Sequence, residues 1–151
     1  MEGSLDALFK NLKALSENEK LVDPLNEQVL KLAFLGDTLF GIITRNYLIS
    51  KYSNSIKINE MHNKNSELVC AKNQSMIADK LVDELLTDDE IDFFKHARNA
   101  HSHSKSKNSS IVDYRKATGL EALLAFLFYK DENRLKVIMA KIIQIFDEIN
   151  I

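Results

Sequence analysis

Apolar residues recur every three or four positions along most of the chain, and no stretch shows the strict alternation of a half-buried strand. This spacing is typical of helices that bury one face. It predicts a polar leader helix near residues 5–15 and further helices over about 25–49, over 66–86, from the capping box at 87–90 through 97, over 112–129 and over 131–148. We therefore expect an all-α protein.

Local signals predict where these helices begin. Asp23 and Pro24 supply an N-cap and a proline at the first helical position, and Thr87 to Glu90 form a capping box. Between two helices, the segment NAHSHSKSKNSS at 99–110 has the composition of a polar loop, which is a natural place for a binding loop. We expect residues 1–23 to form a leader and residues 24–151 to form one domain.

Composition adds to this picture. With 151 residues, 45% of them apolar, the chain is long enough for one domain with its own core. Cys70 is the single cysteine and no N-terminal segment resembles a signal peptide, so we expect a cytoplasmic protein. Cys70 itself is expected to be a buried small hydrophobe within the 66–86 helix. No apolar run reaches the ~20 residues that a membrane span needs.

The net charge of -2 hides an asymmetry along the chain. Residues 79–92 hold seven acidic residues and one lysine, a net of -6, whereas residues 95–116 hold six Lys or Arg and one Asp, a net of +5. Charge runs are usually solvated helix faces. The distribution also fits a basic surface for a polyanion, held apart from an acidic surface that a polyanion would avoid.

The two most apolar helices each contain a glycine and an acid. Gly36 and Asp37 lie in the first, and Gly119 and Glu121 lie in the second. Because a helix-interior glycine often marks a close approach of another backbone, we expect these helices to cross at the glycines and to bring the two acids together. An at least partly buried Asp37 needs a partner, and an arginine such as Arg45 or Arg115 is the simpler alternative to a metal.

Two facing carboxylates repel each other unless a cation or a proton lies between them. Oxygen ligands without neighbouring cysteine or histidine suit Mg²⁺, with Mn²⁺ as a substitute, and such a site would act on phosphate oxygens. His101 and His103 could instead chelate zinc, but no cysteine lies near them in the sequence, and we favour this reading less.

The motifs around the two acids resemble those of the ribonuclease III family. LAFLGDTLF at 32–40 is similar to the family's first acidic motif and TGLEALLAF at 118–126 to its second. RNYL, AKNQ, ARNAHS, Lys107-Asn108 and DYRKAT match in order between them, so the resemblance covers about 25–148. Two family carboxylates are replaced here by Ala33 and Thr118. We expect no double-stranded-RNA-binding domain after Ile151, and together with that loss this resembles the pattern of the shortened bacterial branch called Mini-ribonuclease III.

The resemblance implies a homodimeric helical bundle like the ribonuclease III endonuclease domain. It implies Mg²⁺-dependent hydrolysis of double-stranded RNA that leaves 5′-phosphate and 3′-hydroxyl ends, with Asp37 and Glu121 as the catalytic metal ligands. It further implies a role in maturing the ends of the large-subunit (23S) ribosomal RNA precursor, with a ribosomal protein as a conceivable additional partner. Without carboxylates at Ala33 and Thr118, we expect loose metal binding until RNA is present.

RNA contacts are expected from the basic loop and its borders, because A-form RNA is recognised through phosphates, 2′-hydroxyls and shape. The candidate RNA-binding residues are Lys72, Arg98, Asn99, Lys105, Lys107, Asn108 and Arg115. Two other functions stay open. One is a catalytically silent module of the same fold that binds RNA or a ribosome, and the other is a helical dimerisation protein without an RNA partner.

Overall fold

The structure is a computed structural model that describes residue 10, residues 26–100 and residues 110–149. Within these ranges the chain folds into six helices: α1 (Asn26–Tyr52), α2 (Ile58–Val69), α3 (Ala71–Glu84), α4 (Asp88–Arg98), α5 (Ile111–Lys130) and α6 (Glu132–Glu148). No helix in these ranges is long and apolar enough to cross a membrane. The all-α prediction is confirmed, while the leader helix, apart from residue 10, and the Asp23-Pro24 start lie outside the described residues.

Helix α5 forms the centre of the bundle. Its middle is buried around most of its circumference, through Leu120, Ala122, Leu123, Leu124, Ala125, Leu127 and Phe128. A helix that is apolar on all sides must be covered on all sides. Helices α1, α3 and α4 pack directly on α5, and α6 closes the bundle against α1. The two acid-bearing helices, α1 and α5, are therefore neighbours across the core.

Aromatic contacts fix these neighbours in place. Phe40 of α1 meets Phe146 of α6 edge to face at 6.0 Å between ring centroids. Tyr47, about two turns further along α1, packs on the same ring at 5.1 Å and donates its hydroxyl to Asp147 at 2.9 Å. On the other side, Phe93 of α4 stacks on Phe126 of α5 at 4.4 Å. These contacts join α1 to α6 and α4 to α5, and so help to fix the two acid-bearing helices against their neighbours.

The predicted single helix over 66–86 is wrong. The chain forms two helices there, because Cys70 adopts an extended conformation (φ -63°, ψ 150°) that ends α2 and begins α3. Helix α2 also begins eight residues earlier than predicted, at Ile58. Cys70 is exposed at this break, so its predicted burial is wrong as well. Helical spacing of apolar residues continued across the break, which is why periodicity alone did not reveal it.

The predicted capping box is confirmed. The Thr87 hydroxyl accepts from the Glu90 backbone N–H at 3.2 Å, and the Glu90 carboxylate accepts from the Thr87 N–H at 2.9 Å. Side chains cap the next two helices also: Ser110 accepts from the Asp113 N–H at the start of α5, and Asp131 accepts from the Arg134 N–H at the start of α6. Such caps satisfy backbone donors that a helix leaves free at its N-terminus.

The acidic segment is not a separate, unpaired surface. Asp79 accepts from Lys116 at 2.8 Å, which joins the acidic segment directly to the basic one. Glu84 pairs with Lys141 at 2.6 Å, and Glu90 pairs with Arg134 of α6 at 2.8 Å. The separation expected from the sequence is therefore incomplete, because part of the negative charge ties α3 and α4 to their neighbouring helices.

Candidate active site

Helices α1 and α5 cross at Gly36 with their backbones in direct contact. A Cβ built on Gly36 would lie 1.7 Å from the backbone carbonyl oxygen of Glu121 and 2.7 Å from its Cα. No side chain fits there, so the predicted crossing at Gly36 is confirmed. Gly119 does not share in it, contrary to expectation: its Cβ would instead meet the Phe94 ring at 2.8 Å, so this glycine lets α4 approach α5.

The crossing brings Asp37 and Glu121 to one cleft of about 420 Å³. The other residues that line it are Leu30, Ala33, Phe34, Tyr114 and Thr118. Glu121 is partly buried, but Asp37 is exposed, and the expectation that Asp37 is buried is wrong. Because Asp37 follows the crossing residue Gly36 by one position, its side chain leaves the helix at the edge of the contact and reaches solvent.

The arginine alternative for Asp37 finds no support in the described ranges, where neither Arg45 nor Arg115 forms an ion pair with this acid. At the two positions where family carboxylates are replaced, the side chains of Ala33 and Thr118 offer no charge to the cleft. Ala33 is buried, and the Thr118 hydroxyl donates to the Tyr114 carbonyl of its own helix at 3.1 Å. Asp37 and Glu121 are therefore the acids that line this cleft.

The electrostatic environment of Glu121 is strongly unfavourable for its negative charge. Burial and the neighbouring charge of Asp37 raise the pKa of Glu121 from 4.5 to about 8, while a hydrogen bond from the Gln74 side chain acts in the opposite direction. Perturbed acids in a cleft are typical of functional sites, although structural ion pairs perturb pKa values too. Among the residues that the structure describes, no positive side chain lines this cleft, and a bound cation would supply that charge.

Gln74 is a residue of this site that sequence reasoning missed. It lies in α3, is 4% exposed, and its Nε2 donates to the Val69 carbonyl at 3.0 Å. The signal was present, because Gln74 falls in the apolar register of Ile77 and Leu81 on the buried face of α3. A polar residue at a core position of a helix needs a polar partner, and Glu121 is that partner.

A second cleft of about 350 Å³ lies on the other side of Asp37 along α1. It contains Arg45, whose Nη1 donates to the Gly41 carbonyl at 3.2 Å. A Cβ on Gly41 would come within 2.7 Å of that nitrogen, so the glycine leaves room for the guanidinium to lie along the helix. Asn65 and Val69 of α2 form the opposite wall. Asp37 thus stands between an acidic and a basic cleft.

The residues present fit a divalent cation with hard oxygen ligands. Asp37 and Glu121 supply two carboxylates, and the described residues contain no cluster of three or more His, Cys, Asp or Glu side chains that could enclose an ion. Mg²⁺ commonly binds through one or two carboxylates and completes its shell with water and substrate phosphates. A site of this kind is open to solvent, and Asp37 is the carboxylate of the cleft that is exposed.

The predicted RNA-binding residues are only partly described. Lys72 is exposed in the first turn of α3, and Arg115 is an exposed residue that directly follows Tyr114, which lines the acidic cleft. Arg98 is partly buried at the end of α4, where its Nε donates to Asn99 Oδ1 at 3.2 Å. Neither acid forms an ion pair with these cations in the ranges that the structure covers. Three predicted contacts, at Lys105, Lys107 and Asn108, lie outside the described residues, as do His101 and His103.

Comparison with known proteins identifies the family. The Ribonuclease III domain model matches residues 30–132. The chain is 37% identical to the Mini-ribonuclease 3 of Staphylococcus aureus over 131 residues, which are 85% of this chain and 92% of that protein. The chain belongs to the ribonuclease III family. The Mini-ribonuclease 3 of a Thermoanaerobacter species is 31% identical over 149 residues, 98% of this chain and all of that protein.

Solved structures agree with this membership. A crystal structure of a Fusobacterium nucleatum protein superposes with a TM-score of 0.64 at 27% identity, covering 77% of this chain and 91% of that one. The resemblance read from the motifs is thereby confirmed, and with it the ribonuclease III fold. As a member of the Mini-ribonuclease 3 branch of this family, the chain is an endoribonuclease.

Proposed function

We propose that this endoribonuclease hydrolyses phosphodiester bonds of double-stranded RNA in the cleft that Asp37 and Glu121 share, with Mg²⁺, or Mn²⁺ in its place. The observation that carries the proposal is the crossing at Gly36, which places the two carboxylates at one cleft without a cation in the described part of the chain. When bound, the metal would lower the pKa of an attacking water and offset negative charge at the phosphate.

The protein's own residues orient this reaction. Glu121 comes from the centre of the most buried helix and is held by Gln74, so it provides a fixed ligand. Asp37 is exposed at the rim and provides the ligand nearest to an incoming phosphodiester. The products would carry 5′-phosphate and 3′-hydroxyl ends. Because the protein supplies only two carboxylates, we expect metal to bind more tightly in the presence of RNA, whose phosphate oxygens complete the shell.

RNA would be held along the rim of the cleft by Lys72, Arg98, Asn99 and Arg115, together with Lys105, Lys107 and Asn108. Their charges contact phosphates, so affinity should fall steeply with salt. We further propose that the protein acts as a homodimer. Phe34 supports this proposal, because it is 84% exposed beside Asp37 and a second copy would cover it. The precursor of large-subunit ribosomal RNA is the substrate that we propose, with or without a ribosomal protein.

The decisive experiment measures cleavage of a labelled RNA duplex by the wild-type protein and by Asp37→Asn, each with Mg²⁺ and with EDTA. Asp37→Asn should lose at least about a hundredfold in rate, since it removes charge that acts in the transition state. Asp83→Asn is the matched control, because Asp83 is an exposed acid on α3 that lines neither cleft. It should cut at the wild-type rate.

The cleavage assay distinguishes a nuclease from a catalytically silent RNA-binding module. Cutting by wild type and Asp83→Asn with Mg²⁺ only, but not by Asp37→Asn, supports the nuclease site. If wild type binds the duplex yet cuts neither it nor the ribosomal RNA precursor under any metal condition, the chain acts as a silent RNA-binding module and the proposal fails.

A further inference from the structure

Gln74 forms a polar link between the backbone and Glu121. Its Nε2 donates to the carbonyl of Val69, the last residue of α2, at 3.0 Å. The same buried side chain lies close enough to Glu121 to lower the pKa of that carboxyl as a hydrogen-bond donor. Its Oε1, in contrast, is buried without a hydrogen-bond partner. The amide nitrogen therefore has a partner in the structure, whereas the amide oxygen has none.

Packing does not account for this residue. A buried acceptor without a partner destabilises the fold, and an apolar side chain of similar size would fill the position without that cost. Leucine or methionine could neither donate to the Val69 carbonyl nor present a second N–H group toward Glu121. One donor is fixed on a backbone carbonyl at the break between α2 and α3, so the other can hold a carboxylate in a defined place.

The hydrogen bond between Gln74 and Val69 lies close to both clefts that Asp37 lines. Val69 lines the basic cleft on the far side of Asp37, while Glu121 lines the acidic cleft. Gln74 therefore connects the walls of the two clefts that flank Asp37. Groups that orient a metal ligand from behind in this way commonly change metal affinity or activity by about 10–100-fold when they are removed.

We infer that Gln74 is a positioning residue that holds the Glu121 carboxylate toward Asp37 for binding of the divalent cation. The inference rests on the proposed function, in which both acids bind that cation. It assigns to Gln74 a role that acts through Glu121 and needs no contact with RNA.

The test compares Gln74→Leu with wild type by calorimetric titration with Mn²⁺ alone, by single-turnover RNA cleavage, and by RNA binding in EDTA. Mn²⁺ affinity and cleavage rate should each fall about tenfold or more. RNA affinity in EDTA and the thermal unfolding midpoint should stay at the wild-type level or above it. If the leucine variant does not fold, Gln74→Met tests the same contact with an unbranched side chain.

Gln28→Leu is the matched control. Gln28 also has a buried Oε1 without a hydrogen-bond partner, but it lines neither cleft and does not perturb Glu121. Its replacement should leave Mn²⁺ affinity and cleavage unchanged. A double-mutant cycle adds a readout that general loosening of the fold would not produce: in a Glu121→Gln background, Gln74→Leu should cause no further loss of Mn²⁺ affinity.

The outcomes separate this inference from the proposed function. If wild type binds Mn²⁺ and cuts RNA while Gln74→Leu does both equally well, or if the losses in the double-mutant cycle simply add, the positioning role is wrong and the nuclease site stands. If wild type neither binds Mn²⁺ nor cuts RNA, the proposed function fails and the inference fails with it.

Discussion

Two glutamates of this fold, the buried Glu90 and the partly buried Glu121, have opposite environments. Glu90, near the start of α4, accepts from both Nε and Nη2 of Arg134 at 2.9 and 2.8 Å and closes the capping box with Thr87. The bond to Arg134 holds the pKa of Glu90 below its ordinary value, although burial opposes this effect. Arg134 is itself fixed by the Leu85 carbonyl at 2.9 Å. The negative charge of Glu90 is therefore compensated by groups of the chain itself.

Glu121 receives no such compensation. In the ranges that the structure describes, its neighbours are an amide donor from Gln74 and the like charge of Asp37, and its pKa is raised to about 8. The comparison teaches that partial burial of a glutamate is not in itself a sign of function. Glu90 is satisfied and holds two helices together, whereas Glu121 is destabilised at a cleft and would gain most from an added cation.

The largest effect on stability should come from Gly36→Ala, which would push the helix that carries Asp37 away from Glu121. The new Cβ would lie 1.7 Å from the Glu121 carbonyl oxygen, so α1 must move away from α5. We expect the free energy of unfolding to fall by about 3 kcal/mol, which is typical of overpacking in a core. Urea denaturation followed by circular dichroism measures this change, and RNA cleavage should be lost with it.

Gly41→Ala is the control for Gly36→Ala. It adds the same methyl group to the same helix, but the nearest atom, Nη1 of Arg45 at 2.7 Å, is the end of a flexible side chain. Because alanine favours a helix over glycine by about 1 kcal/mol, Gly41→Ala should be neutral or stabilising. Equal destabilisation by both substitutions would contradict the crossing at Gly36.

Replacing Glu90 or Glu121 by glutamine should change the free energy of unfolding in opposite directions. Glu90→Gln leaves Arg134 without its ion pair and should lower the free energy of unfolding by about 2 kcal/mol, with cleavage per folded molecule unchanged. Folding disfavours the ionised form of Glu121, as its raised pKa shows, and this costs stability at neutral pH. Glu121→Gln removes that cost and should raise stability in EDTA by about 1 kcal/mol, while cleavage is lost. Chemical denaturation in EDTA checks both. A loss of stability in both variants would show that Glu121 is a structural acid.

Much of this site could be predicted from the sequence, because it depends on local pattern. Gly36 and Asp37 interrupt an apolar helix, as Gly119 and Glu121 do, and the family motifs surround both pairs. That was enough to expect two neighbouring acids on crossing helices. Sequence could not tell which glycine forms the crossing, because both fit a close approach, and only the packing of Phe94 on Gly119 distinguishes them.

The contacts missed are those that depend on distant parts of the chain. Gln74 and Glu121 meet only because α3 packs on α5, and Glu90 meets Arg134 only because α6 returns to the start of α4. Exposure of Asp37 was also missed, since helical spacing gives the face of a residue but not how much of that face the neighbour covers. The break at Cys70 left no mark in the apolar pattern.

The smallest expected effect is a change of stability at low pH, and it follows from the lowered pKa of Glu90 in the folded state. A carboxyl that ionises more readily when folded stabilises the protein above its unfolded pKa of about 4.5, and this contribution is lost as pH falls through the lower folded pKa. The stability difference between wild type and Glu90→Gln should therefore be full at pH 7 and shrink at pH values below about 4. Urea midpoints at several pH values measure it. A difference that stays constant down to pH 3 would mean that the Arg134 pair contributes nothing through the charge of Glu90.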